Sequence, residues 1–81
     1  MKARVFVSLK STVLDPQGQT VRAALQGLGY SAIEDVRQGK FFDIALAGGL
    51  GPEQARKDVE AIAQEVLANP VIEEYRVELL D

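Results

Sequence analysis

Leu9-Lys10-Ser11-Thr12-Val13-Leu14-Asp15-Pro16-Gln17-Gly18 is where one periodicity gives way to another, and the rest of the chain is arranged around that change. Before it, Val5, Val7 and Leu9 alternate with polar or solvent-tolerant residues, the period-two pattern of a half-buried strand. After it, Val21, Ala24, Leu25 and Leu28 recur at i, i+3, i+4 and i+7, one apolar stripe of a helix. Asp15 is suited to cap that helix. Its carboxylate accepts from the N–H groups left free in the first turn and carries the charge that the positive end of the helix dipole favours. Pro16 follows at the first helical position, where its missing N–H costs nothing and its fixed φ is already helical. The stretch is therefore a capped strand-to-helix junction, with Lys10 and Gln17 as polar side chains available to a partner.

Composition narrows what such a chain can do. With 81 residues it forms one domain, 1–81, too short to bury as large a share of its surface as bigger domains do. Yet 47% of its residues are apolar, which favours a second subunit over a lone monomer. There is no cysteine and no histidine, so disulfides, the usual zinc sites and Cys–His or Ser–His nucleophilic catalysis are excluded within the chain. A net charge of −3 argues against a partner held through its phosphates. No apolar run reaches the length of a membrane span, and Lys2 and Arg4 sit inside the first strand pattern rather than ahead of a signal peptide. A cytoplasmic, oligomeric domain is expected.

Taken in order, the first strand runs from about Lys2 to Lys10, with Ala3, Val5, Val7 and Leu9 facing the core. Phe6 stands on the opposite face among Lys2, Arg4, Ser8 and Lys10. The first helix spans Pro16 to Leu28, and Gly29 is placed to close it in the left-handed conformation, with Tyr30 packing back on Leu25. Gly18 and Gly27 weaken this helix and imply close backbone approach to a neighbour. From Ile33 to Ala47 the pattern is extended again, Phe42, Ile44 and Leu46 on one face and Phe41, Asp43, Ala45 and Ala47 on the other. Carried back through Gly39, that phase would put Gln38 and Lys40 on the core face, so a bulge at Gly39 or a Gln38-Gly39 hairpin is expected; one bent strand is the preferred reading. Gly48-Gly49-Leu50-Gly51-Pro52 lacks the lysine and hydroxyl of a phosphate loop and reads as a connector into a second helix. That helix, Pro52 to Ala68, is expected to bury Ala55, Val59, Ile62, Ala63, Val66 and Leu67, with Glu53 and Lys57 paired outside and a left-handed Asn69 before Pro70 as its stop. A last strand places Val71, Tyr75, Val77 and Leu79 on one face and Ile72, Glu74, Arg76, Glu78 and Leu80 on the other.

Strand, helix, strand, helix, strand makes an α+β fold: a two-layer βαβαβ sandwich, a three-stranded sheet with two helices on one face, oligomerising through the sheet. The uncovered face carries Phe6, Phe41, Ala45 and Ile72, a patch unusual for a monomer, and these are the self-association candidates. A small-molecule-binding regulatory module acting as a homodimer is the competing reading. An RNA-binding sheet is a third, disfavoured by the acidic balance.

Three segments together resemble the PurS family, the small third component of the bacterial and archaeal phosphoribosylformylglycinamidine synthase. They are Leu9-Lys10 through Val13-Leu14-Asp15-Pro16-Gln17-Gly18, then Val36-Arg37-Gln38-Gly39-Lys40, then Leu67-Ala68-Asn69-Pro70-Val71-Ile72-Glu73-Glu74-Tyr75. The resemblance covers nearly the whole chain; Thr12 stands where the family pattern has glycine, and the glycine-rich loop replaces a more acidic connector. It implies a non-catalytic subunit of a ligase complex of purine biosynthesis, associated with a large ATP-dependent synthetase subunit, PurL, and a glutaminase subunit, PurQ. It further implies a bridging role between those two, assistance to ammonia transfer, no cofactor in this chain, and ATP and magnesium in the synthetase. Lys10, Gln17, Arg37 and Lys40 are the candidates for polar contacts to those partners, Arg37 because its planar fork suits a carboxylate.

Overall fold

The computed structural model describes residues 1–80. Strand β1 (Lys2–Leu9) is followed by helix α1 (Pro16–Gly27), strand β2 (Gly39–Ala45), helix α2 (Pro52–Ile62) with a π-helical turn at Ala63–Leu67, and strand β3 (Glu73–Leu80). The expected α+β fold of three strands and two helices is the one observed, and the strand order is β2-β1-β3, both pairings antiparallel. The alternation of β1 sends Ala3, Val5 and Val7 into the interior, all essentially without exposure. They meet Val59, Ala63 and Ala68, and Phe42, Ile44, Leu67, Val77 and Leu79 pack around them.

Topology then separates the two helices. β1 ends and β2 begins at the same end of the sheet, where Ser8 pairs with Gly39, so residues 10–38 leave and re-enter the sheet without crossing it. β2 and β3 run the same way on either side of β1, and α2 returns across the sheet between them. No side chain of α1 joins the core, and Gly18 is its one buried residue. The chain is accordingly long and thin, its Cα atoms extending 51 × 27 × 14 Å.

Several local expectations give way to specific physics. The strand expected over 33–47 starts only at Gly39, because Gly29 (φ +102°) and the turn Ile33 N–H to Tyr30 C=O (3.3 Å) bring the chain back from α1 in irregular backbone. Neither bulge nor hairpin is present at Gly39: the register runs unbroken, Ser8 to Gly39 and Val7 to Lys40. Lys40 does take the core-face phase, but at the sheet end, where its ammonium reaches over the Phe42 ring and out towards Glu73.

In the second helix, Ala55, Val59 and Ala63 are buried as expected, whereas Ile62 (37% exposed) and Val66 (75%) are not. The Ala68 N–H bonds back to Ala63 C=O at 2.9 Å, five residues away. This wider turn shifts the phase, so Leu67 and Ala68 face the sheet and Val66 turns outward. The outer-face pairs that form are Arg56 with Glu60 and Gln54 with Asp58, not Glu53 with Lys57. Asn69 stops the helix without a left-handed backbone; its Oδ1 accepts from Val71 N–H (3.1 Å) and its carbonyl from Glu73 N–H (2.7 Å). Val71 and Ile72 lie in that turn, ahead of β3 rather than within it. Gly27 approaches nothing, unlike Gly18, on which a Cβ would run into the Val36 carbonyl.

Candidate partner-binding surfaces

The first surface is the junction at the end of the sheet where α1 departs. Asp15 is buried there. Its Oδ1 accepts from Gly18 N–H at 2.9 Å, the expected cap, and its Oδ2 accepts from Gln38 N–H at 2.6 Å, which the sequence did not reveal. One carboxylate therefore ties both ends of the 22-residue excursion between Asp15 and Gln38 together. These two backbone donors, with Arg37 nearby, hold its pKa below the usual carboxylate value. Arg37 completes the junction by donating from Nη2 to the carbonyls of Lys10 (2.9 Å) and Val13 (2.8 Å). The fork read as a partner's carboxylate receptor thus also clamps the chain's own loop.

Beside this clamp is a recess of about 230 Å³ lined by Ser8, Asp15, Gln17, Gln38, Lys40 and Glu73, among others. Lys40 Nζ and Glu73 Oε2 stand 4.0 Å apart across it. Gln17 and Lys40 are brought together here. Lys10 adjoins, its backbone N–H bonded to Ile72 C=O at 2.9 Å. This recess is smaller than the roughly 300–1,000 Å³ typical of small-molecule sites.

The second surface is the sheet face opposite α2. Phe6 and Phe41 are cross-strand neighbours with ring centroids 6.1 Å apart, and Phe41 remains 55% exposed. Ala45, opposite Lys2, lies on the same face; Ile72, in its turn, is not part of the strand array. The arginines are what the sequence reading missed. Arg4 lies 4.6 Å from the Phe41 centroid and Arg76 lies 4.3 Å from that of Phe6. Arg4 is itself held by Asp43, Nε to Oδ1 at 2.7 Å and Nη2 to Oδ2 at 3.3 Å. That bond raises the Arg4 pKa and lowers the Asp43 pKa. Arg76 bonds Glu78 at 2.6 Å. Alternation placed these residues on one face, but their adjacency required the strand order.

This arrangement has close counterparts among known proteins. The family model PurS, phosphoribosylformylglycinamidine (FGAM) synthase, matches residues 2–81. The chain belongs to the PurS family. The PurS subunit of phosphoribosylformylglycinamidine synthase from Bacillus subtilis is 40% identical over 96% of this chain and 90% of its own length. That from Methanocaldococcus jannaschii is 37% identical over 96% and 93%. A B. subtilis PurS crystal structure superposes with a TM-score of 0.82 at 39% identity, covering 99% of this chain and 98% of that one. A chain from the structure of PurLQS from Thermotoga maritima gives 0.86 at 32% identity, covering 98% and 95%. The PurS fold therefore extends over the whole described chain, α1 included. No helix of the described residues is long and apolar enough to cross a membrane.

Proposed function

We propose that this PurS-family chain is the non-catalytic small subunit of a phosphoribosylformylglycinamidine synthase complex in de novo purine biosynthesis. It associates with the ATP-dependent synthetase subunit PurL and the glutaminase subunit PurQ, bridges them, and assists ammonia transfer from one to the other. The observation that carries this reading is the full-length likeness to a chain of the three-component PurLQS structure. The chain's own chemistry agrees, since it has neither thiol nor imidazole to release ammonia from glutamine. A bridge acts by raising the effective concentration of the glutaminase beside the synthetase.

The partner contacts in this proposal lie at the sheet end. Gln17 and Lys40 open onto the recess, Lys10 adjoins it, and Arg37 fixes the loop that presents them. The complex is cytoplasmic, and the chain enters it as a homo-oligomer, a dimer or tetramer, with Phe6, Phe41 and Ala45 offering one self-association surface.

The test is glutamine-dependent product formation at fixed amounts of PurL and PurQ, with and without this chain. Addition should restore turnover, and free ammonium should bypass the need for PurQ. Equal rates in the two arms would refute the bridging role. Lys40→Glu should weaken assembly by reversing the charge of the contact while leaving the sheet intact.

A further inference from the structure

The loop Lys10–Leu14 is held from several sides without being buried. The Lys10 N–H donates to Ile72 C=O at 2.9 Å, and the Val13 N–H closes a turn on Lys10 C=O at 2.9 Å. Asp15, next along the chain, is fixed by Gly18 and Gln38. Arg37 spans the middle, donating from Nη2 to the carbonyls of Lys10 and Val13. The side chains stay outside: Ser11 and Thr12 are exposed, and Leu14 is 66% exposed. A surface loop bonded in this way has already lost the conformational freedom that association would otherwise remove.

The atom that does the holding decides what else Arg37 can do. A guanidinium grips a carboxylate with two parallel bonds, through Nε and Nη2 or through Nη1 and Nη2. Arg4 shows the first of these, its Nε and Nη2 meeting the two oxygens of Asp43. Both forks contain Nη2, and in Arg37 that nitrogen is spent on the two loop carbonyls. Nε and Nη1 diverge on either side of the group and offer a partner no fork. An exposed arginine on loop carbonyls buries no apolar surface either. What it fixes is the shape of the loop.

We propose that Arg37 is a positioning residue for association with PurL and PurQ. It sets the loop so that the Lys10 ammonium and the exposed Leu14 side chain meet the partner protein together, and it makes no contact there itself. A leucine beside a cation fits an apolar depression with a carboxylate on its rim. The inference rests on the reading of the chain as the subunit that joins those two proteins, and it moves Arg37 from contact to support.

The test titrates fluorescently labelled chain into a fixed mixture of PurL and PurQ and reads the concentration of half-maximal association. Arg37→Gln should raise that concentration by about tenfold. In a chain already carrying Lys10→Ala and Leu14→Ala, the same change should add less than about threefold, because the groups it positions are gone. Loss of an interfacial charge flattens the salt dependence of association; Lys10→Ala should do so and Arg37→Gln should not. In the isolated chain, Arg37→Gln should quicken amide exchange at Val13 by about tenfold while the amides of β1 keep their rates. Arg37→Lys keeps the charge without the planar group and takes the place of Arg37→Gln if that variant does not fold; the expected outcomes are the same. Additive losses in the combined variant, a flattened salt dependence or an unchanged Val13 exchange rate would overturn the proposal and leave the bridging reading standing. Failure of the unmodified chain to associate would overturn both.

Discussion

Helices α1 and α2 are nearly equal in length, both begin with proline at the first helical position, and both carry an apolar stripe. Their fates differ. α2 and the π-helical turn that continues it bury Ala55, Val59 and Ala63 beneath a charged outer face, whereas α1 buries Gly18 alone and carries one charge. The difference teaches that periodicity places an apolar stripe on a helix and is silent on whether the sheet receives it. Outer-face charge is the better indicator: α2 is written as a helix with a wet side, and α1 is not.

The sharpest way to break the contrast is one substitution placed in both helices. Val59→Asp puts an unpaired carboxylate among Val5, Val7 and Ala63 and should cost more than about 4 kcal/mol, unfolding the chain at room temperature. Val21→Asp, at a position 41% exposed, should leave the chain folded with an unfolding midpoint close to that of the parent. Circular dichroism melts distinguish the cases, and equal destabilisation at both sites would erase the distinction between the helices.

A smaller effect separates two glycines within α1. Gly18→Ala drives a methyl group into the Val36 carbonyl, a backbone atom that cannot turn aside, and should cost about 2 kcal/mol. Gly27→Ala meets open space and should stabilise by about 0.5–1 kcal/mol through helix propensity. Urea titrations of the two variants should move to opposite sides of the parent.

The smallest effect is set by pH. Asp15 has a lowered native pKa because it accepts from Gly18 and Gln38, so its stabilisation is complete above the ordinary carboxylate pKa. It fades as pH falls below about 4 and is lost as pH passes through the lowered native value. Asp15→Asn keeps one acceptor but sets an amide N–H₂ against the Gln38 N–H or the Gly18 N–H. Its melting temperature should drop by about 4–8 °C at pH 7 and converge on that of the parent in acid. A constant difference across the acid range would mean that the carboxylate charge is not what ties the start of α1 to the sheet.

Local chemistry settled much in advance. Asp15-Pro16 dictates a helix start wherever the chain goes next, because cap and proline act on neighbouring backbone groups. Alternation in β1 fixed its buried face, and Gly29 fixed the close of α1, both short-range steric facts. The resemblance of three segments to PurS was legible for the same reason, since each is a local turn or cap with few acceptable sequences. What the sequence did not contain was geometry between distant residues. The Asp15 bond to Gln38, the Arg37 clamp on Lys10 and Val13, and the stacking of Arg4 and Arg76 on phenylalanines all join residues brought together only by strand order and register. The exposure of α1 belongs to the same class: it follows from β1 and β2 meeting at one end of the sheet, an antiparallel closure that no helical period encodes.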